Sequence, residues 1–156
     1  MDDQHIELEF PARAEYVALA RLVVSSLASA RRDIDDDRID DLKIAVSEAC
    51  TNAIEAHSAG ATNDQVVLRC VEHDDRLEVV IRDFGPGFEP AELPEDPPVT
   101  DPERLDERGL GIPLIKTLVD DAQFESADEG TIVTLVMQCG RAVFVDDDVD
   151  VTVDGR

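Results

Sequence analysis

Residues Ile44 to His57 read IAVSEACTNAIEAH, and the reading of this stretch decides the fold. Apolar residues recur at helical spacing, from Ile39 and Leu42 through Ala45, Val46, Ala49 and Ala53, which predicts a buried helix. Glu48 and Asn52 stand four residues apart, so their side chains stack on one side of that helix. At about 100° per residue they fall on the border of the apolar stripe, neither inside it nor opposite it. A solvated flank would carry the same two residues, whereas a cleft beside the core would use them for chemistry. The choice between the two rests on segments further along the chain.

Working outward, 156 residues suit one domain with a sizeable core. Aromatic residues supply only 4% and Trp is absent, so that core must be built from Val, Leu, Ile and Ala. Asp and Glu number 37 against 14 Lys and Arg, a net charge of −23. A field of that sign opposes nucleic acid and anionic lipid, and no basic patch relieves it, so neither is expected as a direct partner. The acidic residues are spread along the chain, which suits a solvated surface at high ionic strength; an acidic surface that meets a basic protein is the alternative. No apolar run is long enough to cross a bilayer, and the amino terminus lacks a signal-peptide pattern, so a cytoplasmic location is expected. Cys50, Cys70 and Cys139 lie in apolar surroundings without the spacing of a disulfide framework or a zinc site, and read as buried free thiols. His5, His57 and His73 have no ligand-like spacing and read as surface or helix-end residues.

Before the central helix, Ile6 to Phe10 alternates as a short strand ended by Pro11. From Ala14 to about Ala30 the period becomes helical, with Val17, Ala20, Val24 and Leu27 on one side and Leu22 and Val23 widening the face. That breadth predicts a helix that covers a sheet or meets a partner subunit. Asp33 to Asp37 supply acceptors for the free N–H groups of the next helix, which ends near Gly60. Val66 to Val71 and Leu77 to Arg82 form a hairpin across His73, Asp74 and Asp75. The second of these strands runs into Asp83-Phe84-Gly85-Pro86-Gly87-Phe88.

Glu89 to Glu107 holds five prolines among acidic residues, too polar for a core element and too long for a plain connection, which points to a functional lid or a disordered loop. Arg108-Gly109-Leu110-Gly111-Ile112 follows, then a helix with Pro113 in its first turn. Ala122 to Ser126 and Thr131 to Met137 complete the strands; the last is apolar on both faces, as a central strand is. This order describes an α/β two-layer sandwich, a mixed and mostly antiparallel sheet with about three helices on one face. Residues 1–140 make one unit with a lid at 88–108, and 141–156 form an acidic extension in which Val alternates with Asp.

Three separated pieces supply groups for one site. Asn52 offers a carbonyl oxygen suited to Mg²⁺, and Glu48 a carboxylate able to take a proton from an attacking hydroxyl. Asp83 can accept from an exocyclic amine such as that of adenine, while Gly85 and Gly87 allow the backbone close to a flat ring. Gly109 and Gly111 place amides at a helix N-terminus, a seat for phosphate, with Arg108 and Lys116 as neighbouring cations. Each piece alone reads as an ordinary turn, junction or outer helix face; their order, with a long loop between the second and third, gives them joint meaning.

The segment Glu48-Ala-Cys-Thr-Asn52-Ala resembles the first box of the Bergerat-fold ATPases, the superfamily of histidine kinases, gyrase B, Hsp90 and MutL. Asp83-Phe-Gly-Pro-Gly87-Phe resembles the second box, Arg108-Gly-Leu110-Gly111-Ile the third, and Gly130-Thr131 the last. The single-domain layout and the form EACTNAIEAH resemble the anti-sigma factor serine/threonine kinases of the RsbW type. The resemblance spans Ile6 to Met137. It implies Glu48 as catalytic base, Asn52 as Mg²⁺ ligand, Asp83 as the adenine-binding group and Gly85, Gly87, Arg108, Gly109, Leu110, Gly111 and Thr131 around the nucleotide. It also implies ATP and Mg²⁺ as ligands, a homodimer, an anti-anti-sigma (STAS-type) protein as substrate and an RNA polymerase sigma factor held inactive. A non-catalytic ATP-binding regulatory module and a histidine-kinase-like ATPase domain are the alternatives.

Overall fold

The computed structural model describes residues 4–58, 64–85 and 108–140; for 108–111 it describes the backbone alone. Gly60, Gly87, the expected lid up to residue 107 and the extension at 141–156 lie outside the described residues. The elements run β1 (Gln4–Pro11), α1 (Val17–Ala30) after a short 3₁₀ turn, α2 (Asp36–Ser58), β2 (Gln65–Glu72), β3 (Arg76–Asp83), α3 (Arg108–Leu118), β4 (Asp121–Ser126) and β5 (Thr131–Gln138).

Asp35 starts α2 by accepting the N–H of Arg38 on its side chain at 3.0 Å while its carbonyl accepts from Ile39, the two bonds of an N-cap. Asp36 and Asp37 add charge to the positive end of the helix dipole. The helix then buries Ile39, Leu42, Ala45, Val46, Ala49, Cys50 and Ala53, the stripe its sequence predicts.

The five strands form one sheet in the order β1-β2-β3-β5-β4, and every described pairing is antiparallel. β5, apolar on both faces, occupies an interior position between β3 and β4. Period-two alternation buries Leu77, Val79 and Ile81 of β3 and Val133, Leu135 and Met137 of β5 on one face, where they join the α2 stripe in a single core. The helices thus cover one side of the sheet, a two-layer α/β architecture.

α1 keeps part of its apolar face outward, as a helix that meets a partner subunit would, whereas the start of α3 differs from the sequence reading. α1 packs along α2 through the small residues Ala20, Val24 and Ala28, and much of its apolar breadth faces outward, with Leu19 and Leu22 exposed. Small side chains on the contact row let the two helix axes approach, so the larger ones on either side are left out of the contact. Pro113 is the sixth residue of α3, because the helix begins at Arg108; its ring nitrogen gives no N–H to the carbonyl of Gly109.

Candidate functional site

Strand alternation sets the first element of the site. Asp83 continues the row of Leu77, Val79 and Ile81, so it faces the helical layer and is buried, 5% exposed. Its cross-strand partner on β5 is Thr131, the other buried polar residue among the described ones. The chain leaves the ladder immediately afterwards. Asp83 Oδ1 accepts the N–H of Gly85 at 3.0 Å, folding the strand end back over its own carboxylate.

Glycine is required where this strand end meets α2. A β-carbon on Gly85 would stand 2.6 Å from the carbonyl oxygen of Ala56 and 2.9 Å from its Cβ. Ala56 belongs to the same i, i+4 row of α2 as Asn52 and Glu48, which lie about 6 Å and about 12 Å further back along the helix. The C-terminal end of that row therefore lies against Gly85. Glu48 and Asn52 are both half-buried on it, as their border position predicts. Gly109 and Gly111 fall in the first turn of α3, where backbone N–H groups have no partner within the helix, and α3 packs on α2.

Other expected groups sit elsewhere. Lys116 is exposed, and its Nζ lies 5.8 Å from the centroid of the Phe124 ring on β4. Arg82, on the opposite face of β3 from Asp83, places its guanidinium 4.7 Å from the centroid of Phe84. Among the described residues no three His, Cys, Asp or Glu side chains converge as a metal cluster. Cys50, Cys70 and Cys139 are buried and free, and burial pushes the Cys50 and Cys70 thiols up to about 12.

His57 stands in the last turn of α2, a helix-end residue as its sequence predicts, but the sequence reading gave it no partner. It is half-buried, and its Nε2 accepts the N–H of Phe84 at 3.1 Å, joining the last turn of α2 to the end of β3. Its spacing carried a signal, since Ala49, Ala53 and His57 recur every four residues on the core-facing row.

The fold and these pieces define a class of protein. A family model described as the histidine kinase-like ATPase domain matches residues 10–137, and the chain belongs to that family. Within it the chain resembles the RsbW-type anti-sigma factor kinases. It is 39% identical over 132 residues to the serine-protein kinase RsbW of Bacillus subtilis, covering 82% of each chain. It is 40% identical over 142 residues to the RsbW of Bacillus licheniformis, covering 88% of this chain and 87% of that one. Among solved structures, the RsbU and RsbW domains of Rv1364c from Mycobacterium tuberculosis share the fold, with a TM-score of 0.64 at 18% identity over 87% of this chain and 32% of the other. Family membership implies ATP binding and supports a kinase or regulatory function in general terms. No helix among the described residues is long and apolar enough to cross a membrane.

Proposed function

We propose that this protein binds Mg-ATP and transfers the γ-phosphoryl group to a serine or threonine of a small anti-anti-sigma (STAS-type) protein, and that it also sequesters an RNA polymerase sigma factor. The observation that carries this reading is the meeting of Gly85 with Ala56, which brings the end of β3, with its buried Asp83, against the helix that carries Glu48 and Asn52. Similarity to two serine-protein kinases over more than four-fifths of the chain supports the choice of acceptor.

The residues fit the ligand. Asp83 is an acceptor at the end of a strand, suited to the adenine amine, with Thr131 beside it, and Gly85 lets the strand end close on Ala56 of α2. The amides of Arg108, Gly109, Leu110 and Gly111 form the phosphate end; Gly87, assigned to the base, and the lid up to residue 107 lie outside the described residues. Asn52 would hold Mg²⁺ through its amide oxygen, and the ion would supply positive charge at the phosphates. Glu48 takes the proton from the attacking hydroxyl. A homodimer through β1 and α1 accounts for Ile6, Leu19 and Leu22, which are exposed on those two elements.

The test is phosphotransfer from γ-labelled ATP with Mg²⁺ to candidate antagonist proteins, beside direct measurement of ATP uptake. The expected product is an acid-stable, base-labile phosphoprotein. An acid-labile product would assign the chain to phosphohistidine chemistry, and ATP uptake with no transfer to any antagonist would make it a binding module.

A further inference from the structure

The ladder between β3 and β5 ends at Asp83 and Thr131, so the amides of Phe84 and Gly85 need acceptors from outside the sheet. Side chains supply both. Asp83 Oδ1 takes the N–H of Gly85 at 3.0 Å, and His57 Nε2 takes the N–H of Phe84 at 3.1 Å. The peptide planes that orient the Asp83 carboxylate are thus tied to α2 through an imidazole. Accepting at Nε2 requires the proton to reside on Nδ1, and Nδ1 is buried with no hydrogen-bond partner among the described residues. An apolar residue at this place on the core-facing row would avoid that orphaned donor, so packing alone gives no reason for a histidine. The acceptor at Nε2 does.

We propose that His57 is a positioning residue for the nucleotide site: by holding the Phe84 amide it aims the Asp83 carboxylate, and so sets the preference for a purine bearing an exocyclic amine over one bearing a carbonyl at that edge. The proposal rests on the reading that Asp83 receives adenine. A residue needed only for packing would, when replaced, weaken all nucleotides alike; one that aims Asp83 changes the ratio between them.

The experiment is calorimetric titration of the full chain with Mg-ATP and with Mg-GTP, for wild type and the variants His57→Leu, His57→Asn and His57→Gln. Gln places an acceptor at the same bond count from Cβ as Nε2, whereas the Asn oxygen reaches only as far as Nδ1. With Leu and Asn the ATP-to-GTP affinity ratio should fall by about tenfold, the scale of one lost hydrogen bond, and Gln should restore most of it. Should the Leu variant fail to fold, the contrast between Asn and Gln decides alone. An unchanged ratio in Asn, or a Gln variant no better than Asn, overturns the role of His57 while leaving nucleotide binding in place. Absence of ATP uptake by wild type overturns the nucleotide reading and this inference together.

Discussion

Gly130 lies directly on the backbone of Asp83: a β-carbon at Gly130 would stand 1.8 Å from the Asp83 carbonyl oxygen, and the Gly130 φ of 103° is one that other residues rarely adopt. The turn that starts β5 is therefore moulded onto the residue that ends β3, and Thr131 follows opposite Asp83 as a consequence.

Gly130→Ala should cost at least about 2 kcal/mol, from the positive φ and from the displacement of the β3 end together. Chemical denaturation of the variant checks this. Gly85→Ala acts differently, since its contact is with Ala56 of α2 and its φ is not in question. It should push the strand end from the helix and weaken ATP uptake more than it lowers the unfolding midpoint.

Much of this arrangement is legible in the residues themselves. Alternation in Leu77, Val79 and Ile81 carries Asp83 onto the core face, and the border position of Glu48 and Asn52 follows from a 3.6-residue period. These are local regularities, which a sequence displays directly. The role of His57 was hidden because its partner is a backbone amide 27 residues away, and backbone groups leave no mark in a sequence. Which residues of α1 meet α2 was hidden for a related reason. Its apolar residues are visible, but which of them touch α2 depends on how closely the helices approach, and that is set by Ala20, Val24 and Ala28 in three dimensions.

Arg31 offers a test of how the helical layer is fixed to the hairpin. Its guanidinium donates twice to Asp33, at 3.1 Å each, and also to the carbonyls of His73 at 2.9 Å and Asp74 at 3.1 Å. The bond to Asp33 raises the Arg31 pKa against the opposing effect of burial, so the guanidinium stays charged. The Asp33 side chain is only 6% exposed. Arg31→Met should lower stability by roughly 3 kcal/mol, because it leaves a buried carboxylate without its cation, and Asp33→Asn in the same background should recover part of that loss. Denaturant titration of the two single variants and the double variant checks both statements.

The buried thiols predict an alkaline limit. Cys50 and Cys70 have an ordinary value of 9.0 and are pushed up to about 12, mainly by burial and secondarily by Cys70 for Cys50 and by Glu72 for Cys70. Below pH 9 both states keep their protons and these thiols add no pH dependence. Above it the unfolded chain releases them while the folded one retains them, so stability falls as pH rises, by up to about 1.4 kcal/mol per pH unit for each thiol. Denaturation between pH 8 and 11 should show this decline, and it should be shallower in Cys50→Ala. A thiol reagent at pH 8 should react with neither Cys50 nor Cys70 until the protein is unfolded.

Glu48 and Asn52 share a helix row but should fail in different ways. Glu48→Gln keeps size and polarity and removes only the ability to take a proton, so transfer to the antagonist should fall by about 10²- to 10⁴-fold while ATP affinity stays within about threefold of wild type. Asn52→Ala removes a ligand for the metal, so its loss should appear in ATP binding and depend on Mg²⁺ concentration. Binding measured with and without Mg²⁺, alongside single-turnover transfer, separates the two. If Glu48→Gln transferred phosphate at the wild-type rate to a verified antagonist, the base would have to be sought elsewhere, even with nucleotide binding intact. If Asn52→Ala bound Mg-ATP as wild type does, the metal would be held by other groups, and the shared row on α2 would then serve the proton rather than the ion.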